Sequence, residues 1–212
     1  PAAMADRAVL TDEEVAALDA QAVGRNDRPP RPGDPGTYNE FWWERGTRLK
    51  QTSLVVDPPD GRIPAMTADG QVRSGWARGG DSWTNRSLAE RCITRGAPKR
   101  PGGYNNNFLI LQTSGYVVIL QEMIHEVRII PLDGRPYLDE KIPQWTGNAR
   151  GRWEGDTLVV ESANYLSEGA FRGATQRLRL VERFTRVGPH AIHYEITADD
   201  PSTWDTTWTL MF

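Results

Sequence analysis

The chain has 212 residues, a formal net charge of −3 and a sequence pI near 5.7. It therefore has no excess of positive charge to bind phosphate groups, which argues against nucleic acid as a partner. Its 20 glycines and 15 prolines are too many for a helical bundle and favour short strands joined by turns and long loops. No apolar run approaches the ~20 residues that span a bilayer. A single cysteine, Cys92, excludes an internal disulfide.

The first segment is predicted to be a helix followed by a linker. Thr11 and Glu14 have the spacing of a capping box. The apolar side chains of the next turns share one face: Val15, Leu18 and Ala22. Residues 27–36, with four prolines and no apolar periodicity, read as an extended linker. We therefore predict an N-terminal helical arm and linker over residues 1–36.

Residues 37–212 are predicted to form a single β-rich domain. The stretch 66–80 is polar and Gly-rich and predicts a loop, and Ser87 with Glu90 predicts a short capped helix. β-forming runs follow one another between turn sequences: 52–56, 108–111, 116–120, 152–153, 157–161, 178–187, 192–197 and 206–212. This order predicts an antiparallel meander, which closes as a lipocalin-like barrel or packs as a sandwich.

The clearest element is a long β-hairpin over Tyr104 to Asp133. With Ser114-Gly115 as a two-residue loop, Thr113 pairs with Tyr116 and the register of the hairpin is fixed. One face then pairs Tyr104 with His125, Asn106 with Met123, Phe108 with Gln121 and Ile110 with Ile119, and continues into Val127 and Ile129. The other face carries Asn105, Asn107, Leu109, Leu111, Glu122, Ile124, Glu126 and Arg128.

The first face predicts a pocket, because it mixes aromatic, thioether, amide and imidazole groups on an apolar surface. The predicted catalytic residues are His125, Tyr104 and Gln121, and the predicted ligand contacts on this face are Asn106, Phe108 and Met123. Alternation places Glu122 and Glu126 on the opposite face, so a carboxylate partner for the imidazole must come from another strand. The alternative is plain packing, with these polar groups satisfied in a core.

A second candidate binding segment runs from Trp145 to Trp153. Its two tryptophans and two arginines suit stacking on a ring and gripping a carboxylate. The predicted ligand contacts are Trp145, Arg150, Arg152 and Trp153. The alternative is that Trp153 plugs the sheet while the arginines pair with Glu154 or Asp156 at the surface.

Several classes of chemistry lack their sequence signature. His190 and His193 have no cysteine or carboxylate companions at metal-ligand spacing. The chain has no nucleophile elbow, no phosphate-binding glycine loop and no dinucleotide fingerprint. We therefore predict no metal and no cofactor, and we disfavour serine hydrolases and nucleotide enzymes.

Several blocks of the sequence are distinctive, among them Pro59-Asp60-Gly61-Arg62-Ile63-Pro64, Gly102-Gly103-Tyr104-Asn105-Asn106-Asn107 and Gly151-Arg152-Trp153-Glu154-Gly155-Asp156-Thr157-Leu158-Val159. In these blocks the chain resembles an uncharacterised family of exported bacterial proteins from acidobacteria and proteobacteria. The resemblance implies a periplasmic or secreted location and supplies no reaction. Members of the family begin earlier and continue into a Cys-His-Glu-Gly-Asn segment, which implies that part of a site lies beyond this chain.

Three functions remain open from the sequence. The first is an envelope enzyme, a lyase, isomerase or hydrolase acting on a small aromatic or sugar-like ring. The second is a protein that binds such a ligand without turnover. The third is a structural protein that self-assembles into a homo-oligomer through its N-terminal arm.

Overall fold

The computed structural model describes residues 9–26, 48–74, 81–100, 102, 104–166 and 171–212. The chain divides into two compact units, one of Pro1–Leu54 with Pro101–Asn106 and the other of Val55–Arg100 with Asn107–Phe212. The predicted linker, residues 27–36, lies outside the described residues, and the predicted domain boundary at residue 36 lies there too. None of the helices that are described is both long and apolar enough to cross a membrane.

The predicted N-terminal helix is confirmed. Helix α1 spans Asp12–Asn26, and its capping box forms, because the Thr11 N–H donates to Glu14 Oε2 (2.9 Å) while the Glu14 N–H donates to Thr11 Oγ1 (3.3 Å). Two ion pairs of 2.7 Å hold the helix to the segment that follows the linker: Asp19 with Arg48 and Asp12 with Lys50.

The second unit is mainly β and antiparallel, as predicted. Its strands are β1 Val55–Asp57, β2 Phe108–Gln112, β3 Tyr116–Gln121, β4 Val127–Pro131, β5 Asn148–Glu154, β6 Thr157–Ala163, β7 Arg179–Gly188, β8 Ala191–Asp199 and β9 Trp208–Met211. One sheet has six strands in the order β1-β9-β8-β7-β6-β5, and the other has three in the order β2-β3-β4. Neither sheet closes into a barrel within the described residues.

The predicted register of the central hairpin is confirmed from Phe108, opposite Gln121, to Gln112, opposite Val117. Beyond Gln121 the predicted strand is interrupted. Met123–His125 form a single 3-10 turn, in which Ile124 and His125 have φ angles of 62° and 46°. The chain reverses there, and β4 pairs back onto β3.

This turn corrects three features of the predicted faces. The ladder between β2 and β3 begins at Phe108, so Tyr104 with His125 and Asn106 with Met123 are not strand pairs. The turn also changes which residues of β4 face inward. Arg128 lies opposite Ile119 and is buried, whereas the neighbouring side chains Val127 and Ile129 are exposed.

The three-stranded sheet packs its inner face against the six-stranded sheet. A buried cluster joins the two sheets: Val117, Ile119 and Ile130 from the first and Ala149, Leu158 and Val160 from the second. A second, larger cluster packs against the six-stranded sheet around Trp204 and Trp208, whose rings meet edge to face at 5.4 Å. Burial of these apolar side chains is the main source of stability for this unit.

Two predictions of local structure, one of a loop and one of a short helix, differ from the structure. Part of the predicted loop forms helix α2, Ala68–Ser74, which packs so closely on another segment that a Cβ at Gly70 would lie 2.7 Å from the Thr203 carbonyl oxygen. The capping bonds of Ser87 and Glu90 form, with the Ser87 N–H donating to Glu90 Oε2 at 2.8 Å, but the residues after them make turns. The remaining short elements are 3-10 turns: Trp83–Asn85 and Phe171–Gly173.

Candidate functional site

A buried ion pair lies between the two sheets. Arg128 on β4 and Glu182 on β7 have side chains that are 4% and 0% exposed. The guanidinium binds the carboxylate through both Nη atoms: Nη1 donates to Oε1 at 2.9 Å and Nη2 donates to Oε2. This two-bond geometry is the strongest form of an arginine–carboxylate contact.

Two hydroxyl groups complete the surroundings of this pair. Tyr194 on β8 donates its hydroxyl hydrogen to Glu182 Oε1 at 2.5 Å, and Arg128 Nη2 lies 3.4 Å from its acceptor, Ser162 Oγ on β6. Burial would lower the pKa of Arg128, but the Glu182 carboxylate raises that pKa above its usual range. Burial and the same carboxylate raise the pKa of Tyr194. The guanidinium of Arg128 therefore stays charged and the phenol of Tyr194 neutral.

Several buried polar atoms of the ion pair and of residues around it have no hydrogen-bond partner within the described part of the chain. They are Gln121 Oε1, Glu126 Oε2, Arg128 Nε and the Tyr165 hydroxyl. Native proteins leave few such atoms unpaired, because each costs roughly 1–3 kcal/mol when buried. Unpaired atoms of this kind therefore mark places where a further polar group would be accommodated.

These residues belong to one connected region. The Gln121 N–H donates to the Glu126 carbonyl at 2.8 Å, which closes the 3-10 turn. Burial raises the pKa of the Glu126 carboxyl and of the Tyr165 phenol, and the charge of Arg128 partly offsets both rises, so both groups lie near that guanidinium. We call this set the Arg128 cluster: Gln121, Glu126, Arg128, Ser162, Tyr165, Glu182 and Tyr194.

One end of the Arg128 cluster borders the segment before β2. Thr94 Oγ1 donates to Glu126 Oε1 at 2.6 Å. Burial raises the pKa of Glu126, and the Thr94 hydrogen bond and the Arg128 charge only partly offset that rise. Phe108 lies directly across from Gln121, and the ammonium of the buried Lys99 lies 5.5 Å from the centre of the Phe108 ring. This end thus combines an aromatic ring with amide and carboxyl groups.

Of the predicted pocket residues in this unit, the structure brings Phe108 and Gln121 together. His125 is exposed on the 3-10 turn, where its side chain makes no hydrogen bond or ion pair with any described residue. Met123 is half-buried in the same turn. The carboxylate partner expected for His125 is not found in the described part of the chain, and its catalytic role stays a prediction.

The other two predicted pocket residues, Tyr104 and Asn106, belong to the first unit. Asn106 closes a short loop, in which its Oδ1 accepts from the Gly102 N–H at 2.7 Å and its Nδ2 donates to the Gly102 carbonyl at 3.0 Å. Tyr104 is half-buried. Roles in catalysis or ligand binding for these two residues stay predictions.

The arginines of the second candidate segment bind their own chain. Arg150 Nε donates to the Arg135 carbonyl at 2.8 Å, and its guanidinium lies 5.3 Å from the centre of the Tyr137 ring. Arg152 forms ion pairs with Glu154 at 2.8 Å and with Glu161 at 2.5 Å. Trp145 and Trp153 are both exposed, so Trp153 does not plug the sheet. The ligand contacts predicted for these four residues stay predictions.

Sequence reasoning assigned Arg128 to the wrong face and did not select Glu182. A signal for Glu182 was present, because it follows Leu178 and Leu180 and precedes Phe184 at the spacing of one strand face. A carboxylate among core positions requires a buried partner. Its partner depends on the turn at Met123–His125, which has no comparable signal.

Two further observations concern metal binding and similarity to known proteins. Within the described ranges, no group of three or more histidine, cysteine, aspartate or glutamate side chains is placed to hold a metal ion. The chain matches no protein-family model, no curated protein and no solved structure. Its function is therefore argued from the Arg128 cluster itself.

Proposed function

We propose that the second unit is a small-molecule-binding domain, a sandwich of two sheets that holds a small, uncharged ring compound beside Gln121. The observation that carries this proposal is the group of unpaired buried polar atoms on Gln121, Glu126, Arg128 and Tyr165. A ligand that pairs with these atoms would remove a cost that the free protein otherwise retains.

The charges favour a neutral ligand. Both Nη atoms of Arg128 are committed to Glu182, so this guanidinium offers little positive charge to a carboxylate or a phosphate. The unpaired atoms include a donor at Arg128 Nε, an acceptor at Gln121 Oε1 and a hydroxyl at Tyr165 that serves as either. The Phe108 ring adds an apolar surface. Phenols and cyclic polyols combine a ring with hydroxyl groups of both kinds.

Binding without turnover has more support than catalysis. Arg128 and Glu182 are bonded to each other, Glu126 Oε1 already accepts from Thr94, and His125, the predicted base, is exposed and has no carboxylate partner among the described residues. A lyase, isomerase or hydrolase would need a base of matched pKa within reach of the substrate. The envelope location implied by the family resemblance stays a prediction.

Binding is tested with phenol and myo-inositol as probes, titrated into the protein and followed by ligand-observed NMR. Gln121→Leu removes the unpaired acceptor, and Gln112→Leu is the matched control, because Gln112 is an exposed glutamine on the neighbouring strand. We expect saturable binding of at least one probe to the parent and the control. In Gln121→Leu the affinity should fall about tenfold, the worth of one hydrogen bond. Equal binding by both variants, or no probe bound at all, contradicts the proposal.

The stability of the free protein gives a second readout. Because Gln121 Oε1 is buried without a partner, Gln121→Leu should raise the free energy of unfolding, by about 1 kcal/mol. If Gln121 were an ordinary, fully paired core residue, the same change would lower it. Urea denaturation of both variants without probe distinguishes these outcomes.

A further inference from the structure

Strand β2 forms one edge of the three-stranded sheet, and no other described strand pairs with its far side. The other edge strand of that sheet, β4, lies close to β5 of the six-stranded sheet. There a Cβ on Gly151 of β5 would lie 2.8 Å from side-chain atoms of both Ile130 and Leu132. β2 is therefore the edge to which a further strand is able to add.

The hydrogen-bond pattern shows which groups point outward from β2. The Thr113 N–H donates to the Tyr116 carbonyl, and the Glu122 N–H donates to the Asn107 carbonyl. Hydrogen-bonded pairs alternate along an antiparallel ladder, so the odd-numbered residues between Asn107 and Thr113 point their backbone groups toward β3. The N–H and C=O groups of the residues between them point away from the sheet: Phe108, Ile110 and Gln112.

The side chains of this edge lack the usual protection against pairing. Phe108–Gln112 carries no charge, and all five of its side chains are exposed, with Leu109 at 52% and Leu111 at 49%. The edge strand β5 of the larger sheet instead carries Arg150, Arg152 and Glu154. Charges on an edge strand prevent it from pairing with another chain, and β2 has none.

We propose that β2 pairs with β2 of a second copy of this chain, antiparallel about a two-fold axis at Ile110. Three backbone pairs would then form, Ile110 with its copy and Phe108 with Gln112 twice, which gives about six hydrogen bonds. The exposed side chains match under the same symmetry, because Leu109 of each copy faces Leu111 of the other. The product is a continuous six-stranded sheet with an isologous interface.

A second copy fits this edge better than an unrelated strand. The segment is compatible with itself under the two-fold axis: Leu109 meets Leu111, Ile110 meets its copy, Phe108 meets the uncharged Gln112, and no charge is buried. Substitutions at Leu109 and Leu111 leave the proposed binding site intact, since these side chains lie on the face opposite to Phe108 and Gln121. The interface is short, so we expect a dimer that dissociates on dilution.

Two double variants with equal loss of apolar surface test the pairing. Leu109→Lys with Leu111→Lys places like charges opposite each other across the two-fold axis, and Leu109→Glu with Leu111→Lys places opposite charges there. Sedimentation equilibrium of the full chain at low salt measures the dissociation constant. We expect the parent to dimerise and the two double variants to differ by at least about tenfold, with the Lys/Lys variant weaker.

Ile129→Lys serves as the control, because Ile129 is exposed on the same outer face but lies on β4. It should dimerise like the parent. A parent that stays monomeric at the highest concentration, or a dimer that the Lys/Lys variant leaves intact, overturns the proposal. Equal dissociation constants for the two double variants overturn it as well. Loss of the dimer in Ile129→Lys would instead assign contact to the sheet face and also contradict edge pairing.

Discussion

Adjacent residues on β7 belong to two arginine–carboxylate networks with opposite surroundings. Glu182 points inward and binds Arg128, with side chains 0% and 4% exposed. Arg183, the next residue, points outward and binds Glu154 at 2.8 Å, with side chains 37% and 40% exposed. The same division occurs on β6, where Ser162 joins the inner network and Glu161 binds Arg152 in the outer one.

The two networks show that contact geometry alone does not determine how much an ion pair contributes to the stability of the fold. Both networks link strands through well-formed contacts. In the outer network water replaces a lost partner, so a broken pair costs little. In the inner network a lost partner leaves a charge stranded in the protein interior, and that state is far less stable.

The largest effect is expected from removing the inner carboxylate. Glu182→Gln leaves the buried guanidinium of Arg128 without its counter-charge and should lower the free energy of unfolding by about 3–5 kcal/mol. Urea denaturation measures this loss. The matched control is Glu154→Gln in the outer network, for which we expect no resolvable change in the free energy of unfolding. Similar losses for the two variants would remove the distinction between the networks.

A smaller loss of stability is expected from a substitution at Gly147, whose backbone packs against Tyr165 of the Arg128 cluster. Gly147 has a φ of +73°, and an added Cβ would lie 2.7 Å from Tyr165 Cε1 in the Arg128 cluster. Gly147→Ala should cost about 2–4 kcal/mol, from overpacking together with left-handed strain. Gly155→Ala has a similar φ of +58° with nothing within 4 Å, and should cost only the strain, about 1 kcal/mol. If thermal unfolding shows the same loss of stability for both variants, the Tyr165 ring moves aside without a measurable cost, which contradicts the prediction.

The pH dependence of stability should differ in sign between the half-buried carboxyl of Glu126 and the exposed carboxyl of Asp133. Burial raises the pKa of Glu126 above 4.5. Stability from its neutral form is therefore complete below that pH and lost as pH rises through the raised pKa. Hydrogen bonds from Arg135 lower the pKa of the exposed Asp133 from 3.8 to about 2, so its contribution is present above pH 3.8 and lost as pH falls through about 2.

NMR titration of the side-chain carboxyl carbons measures both values. In Glu126→Gln the free energy of unfolding should fall less as pH rises above 4.5 than it does in the parent. In Asp133→Asn the dependence above pH 4.5 should be the same as in the parent. A pKa at or below 4.5 for Glu126 would show that the carboxyl is better solvated than its burial implies.

Much of the fold follows from local sequence. Ser114-Gly115 was enough to set the register of β2 and β3, and Glu154-Gly155-Asp156 correctly separated β5 from β6. The capping box of α1 was readable because its partners lie three residues apart. In each case the determining contact is short in sequence, so the pattern and its structural cause occupy the same few residues.

The candidate site was only partly predictable, because it depends on contacts between distant strands. Phe108 and Gln121 followed from the hairpin register, but the placement of Arg128 required knowledge of the turn at Ile124 and His125. Histidine tolerates a positive φ, but a β-branched isoleucine strongly disfavours it, so the residue type at position 124 argues against the observed turn. Tertiary packing imposes that conformation, and its effect reverses the inward and outward positions on β4.

The turn at Met123–His125 also limits how this protein is able to vary. Because side chains alternate along a strand, deleting or inserting one residue between Glu122 and Glu126 would turn Arg128 away from Glu182 and point Ile129 into the polar interior. Substitutions that keep the length leave this alternation intact. Families built on this arrangement should therefore tolerate changes of residue type in the turn while conserving its length.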